Sequence, residues 1–309
     1  MKNFIATLAL LMSTAAFSAY AAEAKVQKEI KVGSFTGIVA STALDIEFTQ
    51  GPAKVIAEGK PSDIDQLKVE VKSNNLNLSV KQPGATVKIK ISNPKLQEIS
   101  LSGAVDMAFM SDLSVNDLDV SMVAATSIKF KNVKCTRLTF DIGGASDVRM
   151  KDVSCLSLSL DMSEATDFKA DNIKAPDFSA GGSGASDVKI ETLECQNYDS
   201  RMSGAGDIAI QKLTAVYVNS ESSGSSEFSS RKLNAHEVTI GLSGASEANI
   251  PELDAKKLKV GASGASEADI EGRAGEVKAS ASGTSEIDIR GLKHDSIKKT
   301  TSGMSSIRE

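Results

Sequence analysis

The sequence predicts an all-β protein: a single-stranded parallel β-helix with coils of about 20 residues and three short strands per coil. The repeat does not determine the handedness of the helix, and we take the right-handed form because it is the usual one. Three observations predict this fold. A pentapeptide of the type Ser-Gly-Ala-Ser-Asp recurs at a fixed spacing, the residues between its copies alternate between apolar and polar, and equivalent positions carry similar side chains. Because only 4% of the 309 residues are aromatic and none is Trp, we expect small aliphatic side chains to fill the interior.

Residues 1–21 form a predicted signal peptide. Met1-Lys2-Asn3 is a short basic start, residues 4–16 are nearly all apolar, and Ala19-Tyr20-Ala21 has the small-x-small pattern of a cleavage site. A membrane anchor is the alternative, but the apolar run is shorter than the ~20 residues that span a bilayer. We therefore expect an exported protein that does not span the membrane and that resides in the periplasm, at the cell surface or in the medium.

Residues 22–101 alternate in the same way but lack the pentapeptide. The segments 43–48 and 87–91 read as strands, and turn signals such as Gln50-Gly51-Pro52 separate such segments. We interpret this region as irregular first coils or as a cap over the open end of a rod. No low-complexity linker separates it from residues 102–309, so the sequence favours one continuous solenoid.

Residues 102–309 contain the regular repeat. The second position of the pentapeptide is Gly in nine of eleven units, which indicates a corner with positive φ, where Gly is least penalised. The steps between units are equal in length, except that one step is longer by a single residue and one is shorter by a single residue. The eleven residues are Gly103, Val123, Gly144, Glu164, Gly184, Gly204, Gly224, Gly244, Gly264, Gly283 and Gly303.

Within one unit, the alternation of apolar and polar residues slips by one residue twice, as it must where a strand turns a corner. Three short strands per coil follow from this pattern. Stacked coils also predict columns of similar side chains in the interior. One such column is Val133, Val153, Ile173, Leu193, Leu213, Leu233 and Leu253.

Several further motifs resemble one exported bacterial family. The signal peptide is followed by Phe35-x-Gly37-Ile38, a Phe48-x-Gln50-Gly51 turn, an Ile89-x-Ile91-x-x-Pro94-x-Leu96 strand and then the repeated corners. This order resembles the family called putative auto-transporter adhesin, head GIN domain. The resemblance covers most of the mature chain, and it implies a β-helical protein of the surface or periplasm with an adhesin role.

The last position of the pentapeptide is a carboxylate in nine of eleven units. These positions are Asp106, Thr126, Asp147, Asp167, Asp187, Asp207, Glu227, Glu247, Glu267, Glu286 and Ser306. Unit charges ~4.8 Å apart repel by about 1 kcal/mol in water, so the ladder needs compensation. Turn amides, cations in a neighbouring column, or bridging calcium ions could each supply it.

Cations are available only in the first half of the ladder, where Arg149, Lys169 and Lys189 follow their acids by two residues. The later coils show no such cation. Two interpretations therefore stay open: a solvated ladder that caps turns, or a divalent-ion site for calcium, with no other cofactor expected. The candidate ligands for calcium are Glu247, Glu267, Asp269, Glu286 and Asp288.

The cysteines and histidines show no zinc-like spacing. Cys135, Cys155 and Cys195 share a column with alanines, so we expect reduced packing residues, with a strained Cys135–Cys155 disulfide as the alternative. We expect His236 and His294 at the surface and without partners in the stack.

The function favoured by the sequence is that of a non-enzymatic, adhesin-like or structural envelope protein that binds a glycan, a protein or another envelope component. A calcium-binding solenoid is the alternative. A polysaccharide-acting β-helix enzyme is less favoured, because units of constant length leave no loop to build a cleft. The net charge of −5 and the lack of a visible basic stripe argue against nucleic acid.

The C-terminal end of the predicted rod carries no recognisable polar cap after Gly303. Solenoids usually need such a cap to prevent end-to-end strand pairing. We therefore expect a partner chain or a second copy of this chain to cover that end.

Overall fold

The computed structural model describes residues 25–82 and 84–309, so the predicted signal peptide, residues 1–21, lies outside the described residues. The described chain is all-β apart from one short helix. Its stacked parallel strands form a β-solenoid of about 11 turns. This architecture confirms the predicted parallel β-helix.

The N-terminal region contains eight strands and the helix. In chain order they are β1 (Val26–Ile30), β2 (Gly37–Ala40), β3 (Ala43–Gln50), β4 (Lys54–Gly59), α1 (Pro61–Ile64), β5 (Leu67–Lys72), β6 (Asn75–Val80), β7 (Val87–Asn93) and β8 (Glu98–Phe109). Strands β2 and β3 form the first turn of the solenoid, because they lie parallel to the two halves of β8.

Antiparallel strands close the N-terminal end of this stack. On their far side, β2 and β3 pair in parallel with β6 and β7. Beyond these, β5 lies antiparallel to β6, β4 lies antiparallel to β7, and β1 lies antiparallel to β4. The change from parallel to antiparallel pairing ends the repeat where a further coil would otherwise add.

The regular coils contain eighteen strands. They are β9 (Leu113–Ser114), β10 (Asp117–Ala124), β11 (Ser127–Lys134), β12 (Arg137–Ile142), β13 (Asp147–Ser154), β14 (Ser157–Met162), β15 (Asp167–Lys174), β16 (Asp177–Gly182), β17 (Asp187–Glu194), β18 (Asn197–Met202), β19 (Asp207–Thr214), β20 (Tyr217–Ser222), β21 (Glu227–Leu242), β22 (Glu247–Ala262), β23 (Glu267–Ala281), β24 (Glu286–Asp288), β25 (Leu292–Thr301) and β26 (Ser306–Arg308).

Each regular coil has three straight runs, but the first two belong to one continuous strand. Between β13 and β15 the pairing skips residues 151 and 171, which marks a bend without a turn. In β21 to β23 the third run joins as well, which gives strands of 15 or 16 residues. We call the three faces wall 1, wall 2 and wall 3, after residues 147–150, 152–154 and 157–162 of one coil and their equivalents in the others.

The interior follows the predicted columns, and the column from Val133 to Leu253 is buried throughout. The expectation of a purely aliphatic interior is wrong for the N-terminal two thirds. All eight phenylalanines of the described chain are buried, and seven of them contact another aromatic ring, as Phe140 does with Phe168 at 5.7 Å. In the last coils Ala248 and Ala268 take the position of Phe168, so small side chains fill only that end.

The corner glycines adopt the predicted positive φ, for example 94° at Gly204. The expectation that Val123 belongs to this column is wrong, because Ala124, with φ 71°, pairs with Gly103. The longer step of the repeat lies between Ala108 and Leu113, one coil earlier than expected. Ala108 still pairs with Lys129, whereas Leu113 already pairs with Val133, so the extra residue falls between them.

Candidate functional site

The acid ladder lies on wall 1, and its first half is compensated as predicted. Asp147 pairs with Arg149 at 3.2 Å, and the equivalent pairs of the next two coils are 3.5 and 3.1 Å apart. The carboxylates of Asp187 and Asp207 also accept the backbone N–H of the acid one coil further on, both at 3.3 Å. Ion pairs and turn amides therefore act together in these coils.

Thr126 does not belong to the ladder, contrary to the prediction from the repeat spacing. Ser127 pairs with both Asp106 and Asp147 and holds that position instead. Thr126 is buried beneath the corner, where its hydroxyl lies 2.9 Å from that of Ser146. The predicted position of Thr126 is wrong for the same reason as that of Val123, because the longer step of the repeat lies one coil earlier than expected.

The last coils contain two cations that the sequence analysis missed. Arg308 pairs with Glu286 at 2.8 Å, and Arg290 pairs with Asp288 at 2.5 Å. The Arg290 guanidinium donates to the Asp288 carboxylate and holds its pKa below the usual value. Two of the five candidate calcium ligands are therefore neutralised by arginine side chains.

The other three candidate ligands, Glu247, Glu267 and Asp269, form no ion pair within the described chain. Glu247 and Glu267 are direct neighbours in adjacent coils, and Asp269 lies on the same wall. Over residues 25–82 and 84–309, no group of three or more His, Cys, Asp or Glu side chains is arranged as a metal site. Calcium binding by the ladder stays a prediction.

Calcium binding by these three carboxylates predicts a higher midpoint of thermal unfolding in millimolar calcium than in EDTA, because a ligand that binds only the folded state stabilises it. Glu267→Gln should abolish the increase, since it removes the central ligand. An equal midpoint in calcium and EDTA would indicate that these carboxylates bind no calcium and only cap turns.

Glu227 is the acid whose charge is least well accommodated. Burial, together with the charges of Asp207 and Glu247, raises its pKa above the ordinary value of 4.5. A carboxyl with a raised folded-state pKa stabilises the fold only while it is protonated, so this contribution is present in acid and is lost as the pH rises through the folded-state pKa.

Glu227→Gln should therefore increase the free energy of unfolding at neutral pH by less than about 1 kcal/mol, because the group is largely solvated. The difference between variant and wild type should vanish below the unfolded-state pKa, where Glu227 is protonated in both states. Urea denaturation at several pH values measures this difference. A gain that persisted unchanged in acid would contradict an electrostatic cause.

All three cysteines are free thiols. The Cys155 thiol donates a hydrogen bond to Cys135, which raises the pKa of Cys155 and lowers that of Cys135. Burial raises the pKa of Cys195 to about 12. The three side chains therefore serve mainly as packing residues at the corner between walls 2 and 3.

The last coil places polar residues where earlier coils are apolar. Lys299 occupies the position of Ala279, and its Nζ lies 2.5 Å from Glu309. His294 is also paired with Glu309, at 3.0 Å, whereas its neighbour in the stack is Ala274, which is no partner for an imidazole. The outer edge of β25 has no partner strand among the described residues.

Two shallow grooves follow the rod axis. On wall 2, a groove of about 570 Å³ contains Asn132, Asp152 and Asn172, and Asn172 donates to Asp152 at 2.7 Å. On wall 3, a groove of about 690 Å³ extends from Arg201 to Ser302, with Gly241 and Gly261 among the residues that line it.

Wall 3 also carries a basic column that the sequence analysis missed. Lys259, Lys278 and Lys298 occupy the same outward position in three consecutive coils. Each lysine is a full coil away from the next along the chain, so no short segment of the sequence gathers them into a basic run. Aligning the units of the repeat with one another would have shown the three lysines at equivalent positions.

No helix among the described residues is long and apolar enough to cross a membrane.

A family model described as "Putative auto-transporter adhesin, head GIN domain" matches residues 34–156, 152–251 and 228–308. A putative adhesin from Bacteroides fragilis is similar in structure, with a TM-score of 0.54 and 20% identity over 74% of this chain and 96% of the other, which shows a shared fold. A putative adhesin from Parabacteroides merdae gives a TM-score of 0.38 with 14% identity over 92% of this chain and 95% of the other. A putative lipid binding protein from Parabacteroides distasonis gives a TM-score of 0.34 with 16% identity over 92% of this chain and 96% of the other. Curated proteins give no match.

Proposed function

Because the chain belongs to the putative auto-transporter adhesin, head GIN domain family, we propose that it is an exported, non-enzymatic β-solenoid of the periplasm or cell surface that binds an envelope component. The observation that supports this most is the regularity of its walls. Each wall stacks equivalent positions at the ~4.8 Å spacing of strands, so an extended partner can make similar contacts in successive coils.

The arrangement of the acids argues against hydrolysis. A glycosidase needs a pair of carboxylates whose environments differ, so that one is an acid while the other is a base or nucleophile. On wall 1 the acids instead form a ladder with similar neighbours above and below, such as Glu247 between Glu227 and Glu267. The family and the similar structure from Bacteroides fragilis are likewise named as adhesins.

A calcium-dependent form of the same function is the second candidate. It rests on the three carboxylates without ion pairs, Glu247, Glu267 and Asp269. The comparison of unfolding midpoints in calcium and EDTA distinguishes the two forms before any ligand is known.

The unpaired edge of β25 adds a second copy of the chain as a candidate partner at the C-terminal end of the rod. Such pairing predicts dimers whose amount increases with concentration in sedimentation experiments. A monomer at high concentration would count against it.

The proposed function is tested with the mature chain immobilised and exposed to envelope fractions: peptidoglycan, membrane vesicles and surface polysaccharide. We expect saturable retention of at least one fraction, no retention by the heat-unfolded chain, and no release of reducing ends from the retained material. Retention of none of the fractions, or continued release of reducing ends, would overturn the proposal.

A further inference from the structure

The lysine column of wall 3 is not explained by the fold. Lys259 pairs in register with Lys278, and Lys278 with Lys298. All three side chains are exposed, and none forms an ion pair within the described chain, unlike Lys169 and Lys189 on wall 1. Like charges at this spacing repel each other, so the column is mildly destabilising on its own.

The groove of about 690 Å³ on wall 3 runs beside this column. Gly241, Gly261 and Ser280 line it, and Gly261 and Ser280 each lie two residues after a lysine of the column, on the same outward face. Gly261 leaves the groove open between Lys259 and Ser263, and Gly241 does the same one coil earlier, where Thr239 takes the position of Lys259.

Packing does not require glycine at these two positions. A Cβ atom on Gly241 would lie 3.7 Å from Glu221 Cγ, and one on Gly261 would lie 3.5 Å from Ser280 Oγ, which are ordinary contacts. Neither residue has the positive φ of the corner glycines. Because glycine inside a strand is less favourable than alanine, its presence here is typical of a site where a ligand approaches the backbone.

We propose that this groove binds a linear acidic polysaccharide that lies along the rod axis, with one anionic group at each lysine of the column. The proposal rests on the proposed envelope-binding function and names the class of ligand. The lysines are ~4.8 Å apart, as are successive strands. A sugar chain with one carboxylate or sulfate per ring repeats its charge over a similar distance.

Other extended anions fit this spacing less well. An extended peptide advances ~3.3–3.6 Å per residue, and only every second side chain points to the same side. Its charges on one side are therefore farther apart than the lysines of the column. A nucleic-acid strand presents a phosphate about every 3.4 Å along a duplex, and single strands usually need stacked aromatic rings that this wall lacks at the lysine column.

The acidic groups of wall 3 lie at the margins of the proposed site. Lys257 stands between Glu237 and Glu276 in the adjacent outward column, which leaves that column nearly neutral. At the other end of the groove, Arg201 pairs with Asp199 at 2.7 Å and with Glu221 at 3.5 Å. The positive charge is therefore concentrated along Lys259, Lys278 and Lys298.

The test is calorimetric titration of the whole mature chain with polygalacturonate, with a carrageenan that carries sulfate in place of carboxylate, and with neutral pullulan. We expect binding to at least one anionic polymer and none to pullulan. Binding should weaken strongly in about 1 M salt, where the Debye length falls to ~3 Å. The polymer that binds identifies the anionic group.

Two variants locate the site. Lys259→Ala/Lys278→Ala removes two charges and Gly261→Leu fills the groove without changing charge, and each should weaken binding by about tenfold or more. The control for the double lysine variant is Lys212→Ala/Lys232→Ala, which removes two stacked lysines of wall 2 that form no ion pair within the described chain. The control for Gly261→Leu is Gly181→Leu, because Gly181 has the same outward position but lies outside the groove. A Cβ atom on Gly181 would lie 3.8 Å from Leu160 O, which is an ordinary contact. Both controls should bind as the wild type does.

Wild-type protein that bound neither anionic polymer, or variants that bound as tightly as their controls, would overturn the inference. Retention of an envelope fraction alongside such a result would leave the proposed function intact. Failure of both experiments would overturn the proposed function as well.

Discussion

Replacing Gly204 with alanine should lower the free energy of unfolding by about 1–3 kcal/mol. Gly204 has a φ of 94°, and a Cβ atom there would lie 2.4 Å from the carbonyl oxygen of Gly184 in the preceding coil. The neighbour is backbone and cannot rotate away, so the corner must shift. Thermal and urea denaturation measure the loss.

Gly241→Ala is the matched control, since its Cβ would have an ordinary contact distance of 3.7 Å and its φ is not positive. We expect this variant to be as stable as the wild type or slightly more stable. Ala124 and Glu164 hold positive φ in the same corner column, so a Cβ is strained there but not forbidden. Equal losses in both glycine variants would show that the corner has no special role.

The repeat made the fold predictable from the sequence. Residues separated by one full repeat must stack, so the interior columns and the corner glycines could be read directly. Spacing alone could not place the longer step, because an extra residue anywhere in the coil gives the same later register. Because of this ambiguity, the predicted positions of Val123 and Thr126 in the repeat are wrong by one residue.

The cap and the charged surfaces were less predictable, because they depend on contacts between coils. Strands β4 and β7 alternate as the parallel strands do, and nothing in their sequences indicates that they pair antiparallel. Arg308 neutralises Glu286 from the adjacent coil. The lysine column becomes visible only when the chain is aligned by its repeat.

The low aromatic content of the chain does not predict where its rings lie. Only 4% of the residues are aromatic, yet nearly every aromatic side chain of the described chain lies inside. Contacts between aromatic rings link successive coils; the ring centroids of Phe109 and Phe130, for example, are 4.3 Å apart. A narrow rod needs few rings to fill its cross-section, so their position in the columns matters more than their number.

Phe168→Ala should therefore cause the largest loss of stability, about 3–5 kcal/mol. Phe168 is fully buried and its ring contacts that of Phe140. The coils above and below present Val148 and Val188 at the same position, and neither can reach far enough to fill the cavity. Tyr217→Ala is the control, because that ring is 53% exposed, and its loss should stay within about 0.5 kcal/mol.

The same substitution tests how cooperative the rod is. Coils of a solenoid contact only their neighbours, so damage at Phe168 should spread to adjacent coils first. Amide hydrogen exchange should accelerate most in β13, β15 and β17, and least in β23, where Ala268 occupies the equivalent position. Equal acceleration from β13 to β23 would contradict local coupling and would show that the rod unfolds as a single unit.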